Sequence, residues 1–89
     1  MQLPDEVTSE VRQRLRRVGG QVQGIERMLE EGRDCKEIVT QISAATKALE
    51  RAGLRMVAAG LIYCLERPED AQADGYDVDT VQRMFMQLA

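Results

Sequence analysis

Eighty-nine residues with only three aromatic side chains, Tyr63, Tyr76 and Phe85, make one small domain and give a monomeric core little bulk. The chain has no histidine, which removes the commonest metal ligand and general base and excludes Ser–His–Asp and Cys–His catalysis. A net charge of −3 argues against nucleic-acid binding, but the distribution argues differently: Arg12, Arg14, Arg16 and Arg17 lie together with no acid among them. A local patch, not the total, sets the field that a phosphate backbone feels.

The composition favours helices over sheet, being rich in Leu, Val, Ile, Met, Ala, Glu and Arg. A first helix is predicted over about 6–31. Val7, Val11, Leu15, Val18, Val22, Ile25 and Leu29 recur at steps of three and four and make one apolar stripe. Pro4, Asp5 and Glu6 suit its start, and Gly32 its stop. Gly19, Gly20 and Gly24 each cost about 1 kcal/mol in a helix relative to alanine, which suggests a bend or a close backbone neighbour.

A second helix is predicted over about 35–65, capped by Asp34 and ending before Arg67-Pro68. Its stripe is Ile38, Ile42, Ala45, Leu49, Ala52, Met56, Ala59 and Tyr63, with steps of four and three in heptad alternation. One short chain cannot cover such a stripe along its whole length. Residues 66–76 read as a polar, acidic loop, and Asp77 caps a short third helix over 77–88. The expected architecture is all-α: a single domain over 1–89 with two long helices and one short one. Two protomers pair into an antiparallel four-helix bundle with the third helices outside.

Cys35 and Cys64 stand near opposite ends of that second helix. Their 29-residue separation is about 43 Å along a helix axis, whereas a disulfide needs Cα atoms about 4.4–6.8 Å apart. If the two thiols work together, Cys35 must meet Cys64 of an antiparallel partner, giving a symmetric dimer with two equivalent two-thiol sites. Cys35 lies in the first helical turn, where the dipole and the nearby Arg33 and Lys36 favour a thiolate; the bland alternative is a small, inert residue. Gly53, Val57, Gly60 and Cys64 form a strip of mostly small side chains, readable as close helix packing, as room around sulfur, or as both. Two thiolates are too few for zinc. They suffice for Cu(I) only with a third ligand that no histidine can supply, so reversible sulfur chemistry fits better.

The arginine run is denser than intrahelical salt bridging requires, and arginine suits phosphate because its planar fork binds two oxygens. Lys47, Arg51 and Arg55 recur every four residues, which predicts a basic face opposite the apolar stripe of the second helix. DNA contact through helix faces is expected, since no helix-turn-helix spacing is visible. No apolar run reaches the length of a membrane span, and Met1–Ser9 lacks an apolar segment. A cytoplasmic protein with reduced thiols and no membrane contact is expected.

Several segments resemble the copper-sensing operon repressor family (CsoR/RcnR/FrmR type). They are Arg14-Leu-Arg-Arg-Val-Gly-Gly-Gln-Val-Gln-Gly-Ile25, then Arg27-Met-Leu-Glu30, Cys35 and Thr40-Gln-Ile-Ser-Ala44. The likeness covers about residues 10–66. It implies helical dimers that assemble as dimers of dimers, bind operator DNA and repress transcription until an inducer binds; it implies no enzyme and no resident cofactor. Cys35 and Cys64 match the family's two sensor cysteines, and Gly60 stands where the family has histidine. The stretches Glu30-Glu-Gly-Arg-Asp-Cys-Lys-Glu37 and Gly60-Leu-Ile-Tyr-Cys64 are similar to the subgroup that keeps both cysteines and drops the histidine, the CsoR-like sulfurtransferase repressor (CstR). That likeness implies a persulfide or polysulfide inducer, a sulfur bridge between the cysteines of two protomers, and control of sulfide-detoxification genes. The DNA-contact positions carry over to Arg14, Arg16, Arg17 and Arg51, while Leu54 replaces a basic residue, with Arg55 beside it. The rivals are a Cu(I) sensor with an atypical third ligand, a thiol sulfur carrier, and a helical interaction protein without a DNA role.

Overall fold

Pro4 precedes the first helix, and Asp5 and Glu6 place negative charge in its first turn, where the dipole favours it. In the computed structural model, which describes residues 1–89, that helix is α1, Asp5–Glu30. It stops where Gly32 takes a left-handed conformation, φ +68°, that costs glycine no steric penalty. The Asp34 carboxylate then accepts a hydrogen bond from the Lys36 amide and starts α2, Cys35–Glu66. Two further helices follow, α3 at Pro68–Ala73 and α4 at Val78–Leu88, and the chain contains no strand. No helix is long and apolar enough to cross a membrane.

Four helices therefore stand where the sequence suggested three. The segment expected to be a loop over 66–76 contains α3. Pro68 occupies the first helical turn, where its missing N–H costs nothing, and Glu69 and Asp70 follow it. Ala71, 1% exposed, packs against α2 and α4 and holds this short helix in place. Gly75, at φ +79°, turns the chain towards α4, which Asp77 caps by accepting from the Thr80 amide at 2.8 Å. Thr80 also holds the Asp77 carboxyl below its ordinary range, chiefly through its hydroxyl.

α1 and α2 form an antiparallel hairpin. Val7 and Val11 near the start of α1 meet Ala52 and Ala59 in the second half of α2. A second cluster joins Val57 and Cys64 of α2 to Ala71 of α3 and Val81 of α4, flanked by Tyr63, Tyr76, Met84 and Leu88. The glycines of α1 behave differently from expectation. The helix is continuous through Gly19 and Gly20, and no atom of this chain lies near where a β-carbon on either would sit. Within one chain neither glycine accommodates a neighbouring backbone.

The hairpin covers only part of each apolar stripe. On α2, Ile38, Ala45, Ala52 and Ala59 are buried, whereas Ile42, Leu49 and Met56 are exposed. On α1, Val7, Val11 and Val18 are buried, whereas Leu15, Val22 and Leu29 are exposed. The cause is visible in the shape: the Cα extents are 55 × 24 × 13 Å, a slab one helix layer thick, with a radius of gyration of 16.8 Å. A compact chain of this length would have a radius near 12 Å. The exposed area is 6747 Å², roughly 1,500 Å² more than the ~5,200 Å² expected for a compact monomer of this mass.

Ala52, 2% exposed, sets the distance between α1 and α2. Ala52→Leu is expected to overpack this contact and to lower stability by about 1–3 kcal/mol in urea-unfolding experiments; an unchanged midpoint would show that the hairpin contact is not tight.

Candidate functional site

The two cysteines occupy opposite environments. Cys35 is the first residue of α2 and is exposed. The cationic charge near it is only partly free: Arg33 pairs with Glu37 one turn on and with Glu31 at 3.6 Å, and Glu37 raises the Arg33 guanidinium above its ordinary range. Lys36 makes no ion pair within the chain. Positive charge beside Cys35 therefore comes from Lys36 and the helix N-terminus more than from Arg33.

Cys64 is 7% exposed. Its thiol donates to the Tyr76 carbonyl oxygen, and it lines a cavity of about 350 Å³ with Pro68, Ala71, Tyr76 and Asp77. The strip of small residues leading to it is where α4 docks. The Leu88 methyl lies only 2.8 Å from the position a β-carbon on Gly53 would take, and Val81 lies 3.8 Å from that position on Gly60. Close packing thus explains Gly53, whereas a β-carbon at Gly60 would make only ordinary contacts, and the room around sulfur lies at the Cys64 end. The cover over Cys64 is tied down by the Tyr63 hydroxyl, which donates to Asp74 at 2.6 Å. Asp74 in turn pushes the Tyr63 phenol up to about 12, from an ordinary 10.0.

One uninterrupted helix carries both thiols, so their 29-residue separation is about 43 Å of rigid backbone, and they do not meet within a chain. No group of three His, Cys, Asp or Glu side chains within the chain is arranged to hold a metal ion.

The basic residues of α1 divide between two polar grooves. Arg12 and Arg16 line one with Asp5, Thr8, Ser9 and Gln13. Arg14 and Arg17 line the other with Glu10 and Gln13. Arg12, Arg16, Arg17 and the exposed Arg51 carry no ion pair within the chain. Arg55 does not stand opposite the apolar stripe: it is half-buried against α1, and its Nε donates to the Glu10 carboxylate at 2.6 Å. Glu10 also lies 3.5 Å from Arg14, and Arg55, more than Arg14, holds the Glu10 carboxyl below the usual carboxylate range. The Glu10–Arg14 spacing of four was readable as a helical pair; the Arg55 contact, 45 residues away, had no local signal. Neither had the burial of Cys64 under Ala71, Tyr76 and Val81.

The metal-sensitive transcriptional repressor family matches this chain over residues 8–87. The chain is 45% identical over 64 residues to the copper-sensing transcriptional repressor RicR of Mycobacterium tuberculosis (strain ATCC 25618 / H37Rv), covering 72% of this chain and 67% of that protein. It is 43% identical over 49 residues to the uncharacterized protein YrkD of Bacillus subtilis (strain 168), covering 51% of this chain and 78% of that protein. It is 36% identical over 61 residues to the copper-sensing transcriptional repressor CsoR of the same organism, covering 68% of this chain and 56% of that protein.

The unequal burial of the two thiols gives a direct expectation for alkylation of the native, reduced protein. Peptide mapping is expected to show rapid modification of Cys35 and slow modification of Cys64, with the slow site becoming fast in denaturant. Equal native rates would mean that α3 and α4 do not shield Cys64.

Proposed function

The chain belongs to the metal-sensitive transcriptional repressor family, and from that premise we propose that it senses reactive sulfur through a thiol pair shared between two protomers. Members of the family are transcriptional repressors and not enzymes, so operator DNA and further copies of the chain are its partners. The proposal concerns the inducer, the assembly and the residues. The observation that carries it is the donor set: two thiols on one rigid helix, no histidine, glycine at position 60, and no third ligand nearby.

The open half of the heptad seam supports a partner. Leu15, Val22 and Leu29 with Ile42, Leu49 and Met56 are the members that the hairpin leaves uncovered. The excess exposure of roughly 1,500 Å² exceeds the ~800 Å² that a standard interface removes from each partner. An antiparallel four-helix dimer would bury that seam and bring Cys35 of one protomer towards Cys64 of the other at each end. Two such dimers would form the tetramer.

The chemistry follows from exposure. In the reduced dimer, Arg14, Arg16, Arg17 and Arg51 face operator phosphates. The exposed Cys35 thiolate attacks the outer sulfur of a persulfide RSSH, expelling RS⁻ and leaving a Cys35 persulfide. The partner's Cys64 thiolate then attacks the inner sulfur of that persulfide and expels HS⁻. The net change converts two thiols and RSSH into one disulfide, RSH and H₂S, with the persulfide as two-electron oxidant. Longer sulfur bridges arise with polysulfide donors. A bridge at each end of the bundle fixes helices that were free to shift, and the arginines lose register with the DNA. A typical coupling of about 1–3 kcal/mol weakens binding about 5- to 150-fold. Genes for sulfide detoxification are the proposed targets.

Copper is the second reading, favoured by the names of two relatives. Competition with a Cu(I) chelator tests it: affinity no better than that of small thiols removes it. The sulfur reading is tested by treating the operator-bound protein with polysulfide and measuring both DNA release and intact mass. Expected are release together with a covalent dimer carrying added sulfur or lacking the thiol hydrogens, and neither in Cys35→Ser or Cys64→Ser. Release that persists in both variants overturns it.

A further inference from the structure

Glu10 is the one carboxylate that ion-pairs with an arginine of the Arg12–Arg17 run, and it does so from an unusual position. Its carboxylate is held from one side by Arg55 of α2 at 2.6 Å and reaches Arg14 of α1 at 3.5 Å. Arg14 is not settled in this pose. Its side chain is 41% exposed, yet its Nε is buried and has no hydrogen-bond partner. A guanidinium with one nitrogen 3.5 Å from a carboxylate oxygen and another donor unused has capacity for a better acceptor. Swung outwards, the same planar fork presents paired N–H groups to the two oxygens of a phosphate. Arg12, Arg16 and Arg17, which have no carboxylate partner, need no such exchange.

We infer that Glu10 is a charge clasp that holds Arg14 back in the free repressor, so that operator binding must pass Arg14 from the Glu10 carboxylate to a DNA phosphate. The inference rests on the reading of Arg14 as a DNA-contact residue. Glu10 stays on Arg55 throughout, because that pair is the shorter and less exposed of the two. The clasp thus fastens the DNA-facing side of α1 to α2, the helix that carries both thiols, and a shift of α2 alters how firmly Arg14 is withheld. Glu10 is a positioning residue; it does not itself touch DNA. Surface ion pairs of this kind are weak, so the clasp tunes affinity by a modest factor and does not abolish binding.

The test is a salt titration of binding to a fluorescent duplex selected from a random pool by the reduced wild-type protein, with Glu10→Gln, Arg14→Ala and the double variant. Glu10→Ala is carried alongside as a second neutral replacement, and circular dichroism checks that each variant is folded. Both neutral replacements are expected to bind about 2- to 5-fold tighter than wild type at low salt, the size of one broken surface pair. They are also expected to alter the slope of log affinity against log salt, since the arginine no longer exchanges one anion for another. Arg14→Ala is expected to weaken binding and to abolish the gain from Glu10→Gln. Wild-type affinity in Glu10→Gln, or weaker binding, overturns the clasp while the Arg14 contact stands. A gain that persists in the double variant also overturns it, because Glu10 then acts only as a repelling charge near DNA. Wild-type affinity in Arg14→Ala overturns the underlying contact and the clasp together.

Discussion

The constraint on which the molecule depends is the length of α2. Thirty-two residues in one unbroken helix separate the two thiols by about 43 Å and present a heptad stripe longer than the rest of the chain covers. Everything else in the protomer is arranged along this rod. α1 lies antiparallel on it, α3 and α4 pack near its C-terminal end, and the result is a slab 13 Å thick by Cα extent, with half of its seam in solvent. In the proposed reading, a second copy would cover the open seam and complete the two-thiol site.

The two ends of the rod differ in kind. At one end Cys35 is exposed to solvent beside Lys36. At the other end Cys64 is shut under Ala71 and Val81 with its thiol on the Tyr76 carbonyl. The arginine run lies alongside the middle of the rod, a register set by the Glu10–Arg55 pair and by Val7 and Val11 packing with Ala59 and Ala52. In the proposed reading, a strain introduced at Cys64 would reach Arg14 along α2 to Arg55, across to Glu10, and one turn along α1. The intervening groups are a packed cluster and two ion pairs, elements that take up discrete arrangements more readily than they stretch.

Much of this was legible in the sequence because its causes are local. The stripe periods, Asp34 and Asp77 as caps, and Gly32 as a stop are all read within one or two turns, and the helices lie where those signals put them. α3 was hidden because Pro68, its acids and Gly75 serve a loop as well as a six-residue helix, and the contact that decides, Ala71 against Val57, Cys64 and Val81, is tertiary. The same holds for Arg55, whose four-residue spacing with Lys47 and Arg51 suggested a shared face until α1 claimed it. Gly53 and Gly60 were ambiguous between packing and cavity; the position of α4 assigns Gly53 to packing and leaves Gly60 with only ordinary contacts. For the thiol pair, the sequence supplied the separation, while the burial that makes Cys35 and Cys64 unequal came from the fold.

The trans arrangement of the thiols is tested most directly by mixing. Cys35→Ser and Cys64→Ser protomers, each unable to complete a site with its own kind, are refolded together and treated with polysulfide. The mixed dimer retains one complete site, and one sulfur bridge joining the two different protomers is expected, identified by mass. No bridge in the mixture, with the wild type bridging under the same conditions, would contradict a site built from Cys35 of one chain and Cys64 of another.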